Sequence, residues 1–394
     1  MSTSAHTTTS AGRDFPELDA IRFVAALGVV VTHTAFFAGL YTRGTWGVAT
    51  QRLEVGVAVF FVLSGFLLGL PYVRTALGGR PPQPLRAYAR KRVLRIMPVY
   101  VIVVVLAFAL IGRNQDLGFV RLVKNLLLID YYDETQLPFG LTQMWSLSVE
   151  VAFYAALPFL GAGIIALARR SRRPVRLVNA LLLGSVVVGV AWVGLTHVWD
   201  AEVAFWAQRW LPAHIAWFAG GLLLATAYES ARRSGTPGVL HRLAADRATC
   251  WIAAGGLFLL STTPLAGSAL LVELSGSEAV VRHVLYLVVA VLVVLPSALG
   301  PGGTAASRVL ADPRVRHLGH ISYALFCTHM LVLELLPPLL GYELFTAPWL
   351  PLFAAVLLVS LAASELLYRY VERPAMSRAR PAATTAAKAT SDAH

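Results

Sequence analysis

The chain has 394 residues, of which 57% are hydrophobic and 14% charged, with a formal net charge of +12 and a mean hydropathy of +0.66. Soluble domains hold about 45–50% apolar and about 25% charged residues, so this balance excludes a soluble globular protein and predicts a polytopic membrane protein. The apolar runs approach the roughly 20 residues that a helix needs to cross a bilayer, and the alternating segments of about ten residues that mark a transmembrane barrel are not seen. The expected fold is therefore all-α, a polytopic membrane helix bundle.

In chain order, residues 1–14 are rich in Ser, Thr and Ala and read as a disordered tail. The first apolar run has no A-x-A-like cleavage site and is followed by many more, which predicts a retained helix and not a signal peptide. Charge clusters and Pro/Gly punctuation then separate about ten transmembrane helices, near Asp19–Leu40, Val55–Val73, Ile96–Ile111, Leu147–Ala168, Leu177–Val198, Leu211–Tyr228, Ala248–Leu265, Val281–Leu299, Leu318–Leu336 and Trp349–Tyr370. Residues 375–394 read as a second disordered tail, leaving one membrane domain over 15–374. Cys250 and Cys327 sit in or beside apolar runs without ligand-type spacing, so neither a metal site nor a disulfide framework is expected.

Alternate connections are basic: Arg74 to Arg95, Arg169 to Arg176, Arg232 to Arg247 and Arg308 to Arg316. The intervening ones hold little positive charge. By the positive-inside rule this pattern, with Arg373 and Arg378 after the last run, puts both termini in the cytoplasm of a multi-pass plasma (inner) membrane protein. The net charge is then mostly topology; no soluble basic face with groove-reading elements is visible, and nucleic acid is not an expected partner. The longest outer connection, Gly112 to Ser146, contains FVRLVKNLLLIDYYDE, which fits either a short helix along the membrane surface or an interfacial loop anchored by Tyr131 and Tyr132.

The first run, LDAIRFVAALGVVVTH, keeps Arg22 and His33 in an otherwise apolar helix. At about 100° per residue, eleven residues make three turns plus about 20°, so both lie on one face, roughly 16 Å apart along the axis. Ionisable groups in a membrane segment usually face a cavity or pathway, which suggests a shared ligand or channel. Arg22 snorkelling to the headgroups and His33 as a satisfied core histidine are the structural alternatives.

This stretch resembles the R-X10-H signature of the membrane acyltransferase-3 family, and five further segments resemble that family in order. They are VFFVLSGFLLGLPY (Val59–Tyr72), RKRVLRIMPVY (Arg90–Tyr100), MWSLSVEVAFY (Met144–Tyr154), ISYALFCTHM (Ile321–Met330) and YRYVERP (Tyr368–Pro374). Ala20 stands where a glycine is common, and Val151 and Ala152 where many members have Glu and Gln, which leaves Glu150 as the only acid of its segment. The resemblance implies transfer of an acyl group from acyl-CoA, a donor substrate and not a permanently bound cofactor, to a hydroxyl of a glycan, glycolipid or macrolide. It also implies a stand-alone membrane module without the soluble SGNH-type domain that some members carry.

On that reading, Arg22, Arg90, Lys91, Arg92 and Arg95 are the candidates for the donor's phosphates. His33 is the candidate base, or the group transiently acylated, and Glu150 the acid that orients it or stabilises its imidazolium. An acid complementing the start of its helix is the structural alternative for Glu150. Ser64, Tyr323 and His329 are candidates for substrate binding, with helix packing or a core histidine as their alternatives. Glu365 and Arg369 are spaced to pair at the inner boundary. Outside this family, a polytopic transporter or flippase in which His33 relays protons would also use ten helices with buried Arg and His.

Overall fold

The computed structural model describes residues 15–42, 44–268 and 274–378. The expected tail at 1–14 and residues 379–394 of the second lie outside the described residues; positions 375–378 belong to a short helix, Arg373–Arg378. The described residues form helices and no strand. Ten helices carry the ten apolar runs: α1 (Glu17–Phe37), α2 (Gly56–Ala76), α3 (Leu85–Leu110), α4 (Trp145–Arg170), α5 (Pro174–Leu195), α6 (Leu211–Ser234), α7 (Arg247–Ser261), α8 (Gly276–Leu299), α9 (Pro313–Leu339) and α10 (Trp349–Leu367).

Among the described residues, nine helical segments are long and apolar enough to cross a membrane. The remaining run, Ala248–Leu265, is carried by the shorter α7. Helix α7 meets the Val239–Ala245 helix at a 93° bend, because the Asp246 side chain accepts the Thr249 N–H at 3.1 Å and starts a new helix there. Helix α3 begins at Leu85 and not at Ile96, so Arg90, Lys91, Arg92 and Arg95 stand on its first three turns. Unbranched Arg and Lys stems suit a helix, and Pro98 lies inside α3 without ending it.

Packing follows from small residues that let backbones meet. Helices α2 and α6 share the closest face: a Cβ at Gly65 would strike the Phe218 carbonyl, and one at Gly221 the Val62 carbonyl. Beside them Phe218 stacks between Phe61 and Phe153, with centroids 4.5 and 3.9 Å away. Helix α1 packs against α2, α9 and α10, so its polar face looks into the middle of the bundle.

The Gly112–Ser146 connection contains the expected short helix, Gly118–Leu126. Arg121 holds both oxygens of the buried Asp130, at 2.6 and 3.0 Å, and Glu134 at 3.1 Å. These partners raise the Arg121 pKa above its ordinary value. Tyr131 is buried in one cluster with Tyr100 and Val103 of α3, so it locks this segment to the bundle and does not anchor it in headgroups. The α2–α6 contact generates a test: Gly221→Val forces the two backbones apart and destabilises the protein by about 1–3 kcal/mol, the usual cost of overpacking. Thermal unfolding in detergent measures it, and an unchanged midpoint contradicts the close contact.

Candidate active site

Helices α1 and α9 bring together two histidines 296 positions apart in the chain. His33 Nδ1 lies 3.0 Å from His329 Nε2, and the rings are inclined by 25°. His329 is fully buried, and its Nδ1 lies 3.1 Å from the Leu325 carbonyl one turn back. A carbonyl only accepts, so His329 Nδ1 carries a proton and, in the neutral ring, Nε2 carries the lone pair. His33 must then donate from Nδ1. Its Nε2 is left with a free lone pair, the form a proton acceptor needs.

His33 lines two chambers at its end of the bundle. One, of about 610 Å³, is mostly apolar, with Phe36, Phe37, Met330, Leu333 and Leu352 on its walls. The other, of about 340 Å³, is polar and bordered by Thr142, Gln143, Trp145 and Arg209. Gln143 is held there by donating its amide to the Cys327 carbonyl at 3.2 Å.

Towards the other end of α1, Arg22 pairs with Asp19 at 2.9 Å, and Asp19 also takes Arg316 at 3.3 Å. Arg92 lies over the Tyr154 ring and Arg95 over that of Tyr323, each at 5.7 Å. Arg22 and Arg92 are both among the charges that act on Arg95. The structure thus gathers three of the five predicted basic residues, Arg22, Arg92 and Arg95. Arg90 and Lys91 turn elsewhere: Arg90 is exposed and reaches the Arg378 carbonyl at 2.6 Å, while Lys91 donates to Gln83 at 2.9 Å.

Glu150 is not joined to His33 by a hydrogen bond. Its Oε1 accepts from Ser64 Oγ at 2.5 Å and from the Tyr154 hydroxyl at 2.6 Å. The dyad expected between His33 and Glu150 is therefore replaced by His33 with His329, because α9, not α4, lies against the His33 ring. His329 sits behind His33 and is fully buried, whereas Ser64 donates to Glu150, and Tyr323 donates to the Ile96 carbonyl at 2.8 Å.

Sequence reasoning passed over two contributors. Tyr154 stands one turn from Glu150, a legible i,i+4 spacing. Glu372 has no such signal: it closes a π-helical turn, Tyr368–Glu372, which rotates its buried carboxylate onto Arg95. The predicted Glu365–Arg369 pair forms, and His317 joins it at 2.7 Å.

Residues 15–369 match the acyltransferase domain of the acyltransferase-3 family, and the chain belongs to that family. It is a multi-pass membrane acyltransferase. The chain is 28% identical to the acyltransferase MdmB of Streptomyces mycarofaciens, covering 96% of each protein. It is 26% identical to nodulation protein 10 of Rhizobium leguminosarum, over 91% of this chain and 92% of that protein. A peptidoglycan O-acetyltransferase, OatA of Listeria monocytogenes, is 26% identical over 46% of this chain and 29% of its own length. No solved structure matches.

The Arg95–Glu372 pair yields a prediction on stability. Arg95→Met strands the buried Glu372 carboxylate and costs about 2–3 kcal/mol, less than the about 3–5 of a wholly buried pair because Arg95 reaches solvent. Adding Glu372→Leu recovers most of the loss. A double-mutant cycle on unfolding temperature checks this, and additive losses contradict the pairing.

Proposed function

We propose that the protein is an O-acyltransferase that moves a short acyl group from acyl-CoA to a hydroxyl of a sugar, envelope glycolipid, polysaccharide or macrolide-type acceptor. The observation that carries this reading is the chain Leu325 carbonyl, His329, His33, which leaves His33 Nε2 as a base at the junction of two chambers. The printed name of the Listeria relative, a peptidoglycan O-acetyltransferase, supports an oxygen acceptor.

In this account the plasma membrane holds the bundle with the Arg22 end towards the cytoplasm, where the donor is made. The coenzyme's phosphates meet Arg22, Arg92 and Arg95 through charge-assisted hydrogen bonds. The thioester reaches the His33 well, and the acyl group takes the apolar chamber. The acceptor hydroxyl gives its proton to His33 Nε2 as its oxygen attacks the thioester carbonyl carbon. The C–S bond then breaks, and the proton passes from His33 to the departing thiolate, so that an ester and free coenzyme A leave. His329 accepts the His33 Nδ1 hydrogen bond throughout, holding the ring in the tautomer the base needs and strengthening that bond when His33 is charged.

Two predictions follow from these assignments. His33→Ala retains fold and acyl-CoA binding but loses about 10²–10⁴ in transfer rate, the usual weight of a general base. His329→Phe, which cannot accept from His33, loses about 10² or more, and His329→Gln, whose amide oxygen can, recovers part of it. Full transfer by His33→Ala, or equal rates for the two His329 variants, contradicts the base assignment; coenzyme A release in the presence of acceptor is the assay. Separately, Arg92→Ala raises the KM for acyl-CoA about tenfold at little changed kcat. An unchanged KM removes Arg92 from the donor site.

A further inference from the structure

The connection between α3 and α4 turns back along α3 instead of leading away from it. Just past the end of α3, the buried Asn114 donates its amide to the Ala107 carbonyl at 3.1 Å and pairs with both backbone groups of Phe139, at 2.9 Å each. Further on, the Asn125 carbonyl accepts from the buried Tyr100 hydroxyl at 2.5 Å. Tyr100 lies ten residues before Leu110, the last residue of α3. At a rise of about 1.5 Å per residue, the chain has returned about 15 Å along that helix. Helix side chains lean towards their own N-terminus, so the Tyr100 hydroxyl does not reach back up. The return covers half of the roughly 30 Å of hydrocarbon that a membrane-crossing helix such as α3 traverses.

The returning helix, Gly118–Leu126, has two faces. At about 100° per residue, Phe119, Val120, Val123 and the capping Leu127 fall within an arc of about 100°, and Arg121 and Asn125 lie opposite. Phe119 is 76%, Val120 69% and Leu127 62% exposed, and Ile129, beyond the turn, 46%. The same turn buries Leu128 in one cluster with Tyr100 and Tyr131, at a φ of 61° that bulky residues rarely adopt. The Gly118–Leu126 helix packs on α3, which adds exposed Val105, Leu106 and Leu110 between the two levels. Surfaces that face water rarely gather so many large apolar side chains.

The polar groups of the segment are met within the protein. Arg121 is held by Asp130 and Glu134, and Lys124 donates to Asp133 at 2.7 Å and to Glu134 at 2.8 Å. Two cations thus meet three acids, which leaves no positive field to draw anionic headgroups. At the turn, the Leu128 N–H donates to the Asn125 carbonyl at 2.8 Å and the Ile129 N–H to the Lys124 carbonyl at 3.0 Å. Satisfied backbone and paired charges are what hydrocarbon demands of a segment placed beside it.

We propose that the segment from Gly118 to Ile129 is inserted in one leaflet of the bilayer beside α3, with Phe119, Val120, Leu127 and Ile129 among the lipid tails. The partner it fits is uncharged hydrocarbon, not an anionic headgroup and not a second protein. The same connection goes on to supply Thr135 and Leu137 to the polar chamber beside His33, and Phe139 and Thr142 to the apolar one. A wall of both chambers is thereby fastened to the bilayer. The insertion does not depend on which reaction His33 serves.

The test is spin-label accessibility on the full chain reconstituted in phosphatidylcholine vesicles. Phe119→Cys and Leu127→Cys are compared with Leu106→Cys on α3 and with Arg172→Cys in the exposed connection between α4 and α5. The unmodified protein gives the background from the buried Cys250 and Cys327. Labels at positions 119 and 127 are expected to meet oxygen, which dissolves in lipid, more often than nickel ethylenediaminediacetate, which stays in water. Their oxygen-to-nickel ratio should match that at position 106 and exceed that at 172 about tenfold or more, the exclusion of a polar solute from hydrocarbon. Adding phosphatidylglycerol to the vesicles should leave it unchanged. More frequent nickel than oxygen collisions at 119 and 127 overturn the proposal in favour of a water-facing connection. Few collisions with either reagent overturn it in favour of a covering protein, and a rise in the ratio that requires phosphatidylglycerol overturns the uncharged partner. Where either variant fails to fold, Val120→Cys gives the same reading.

Discussion

Two neutral imidazoles in hydrogen-bond contact share one proton at their junction, and what lies behind the second ring decides which of them owns it. Here that group is the Leu325 carbonyl, which accepts from His329 Nδ1 and obliges His33 to donate. The orientation is fixed by a helix backbone, because the carbonyl lies one turn before the histidine in α9. No buried carboxylate is required to set the tautomer, and none needs to be desolvated beside His33.

The bundle places His33 between two kinds of surface. Apolar walls from α1 and α9 lie on one side, and the polar chamber under Trp145 on the other. Along α1 in the opposite direction are the converged arginines, with Glu372 fastening Arg95 from the far end of the chain. The π-helical turn at Tyr368–Glu372 matters for this reason: an added residue per turn swings the carboxylate from one face to another.

Much of this was legible in the chain. Ten apolar runs, the basic connections and the Arg22–His33 spacing are local patterns, and helical periodicity alone is enough to put those two residues on one face. The start of α3 was misplaced because a basic amphipathic turn reads as a loop when hydropathy is the guide, although Arg and Lys are good helix formers. The bend at Asp246 depends on a side-chain cap within an apolar context. Glu150 was assigned to the wrong partner for a different reason. A sequence shows that an acid and a histidine both reach mid-depth, but which helix lies against which depends on contacts between small residues such as Gly65 and Gly221. His329 was visible as a candidate, yet its position behind His33 is a tertiary fact.

The central claim is the protonation pattern of the histidine pair, and nitrogen NMR of the protein labelled with ¹⁵N-histidine reads it directly. The account predicts that His33, identified by its loss in His33→Gln, shows a protonated Nδ1 and a bare, pyridine-type Nε2 at neutral pH. A protonated Nε2 on His33, with the bare nitrogen facing His329, would contradict it.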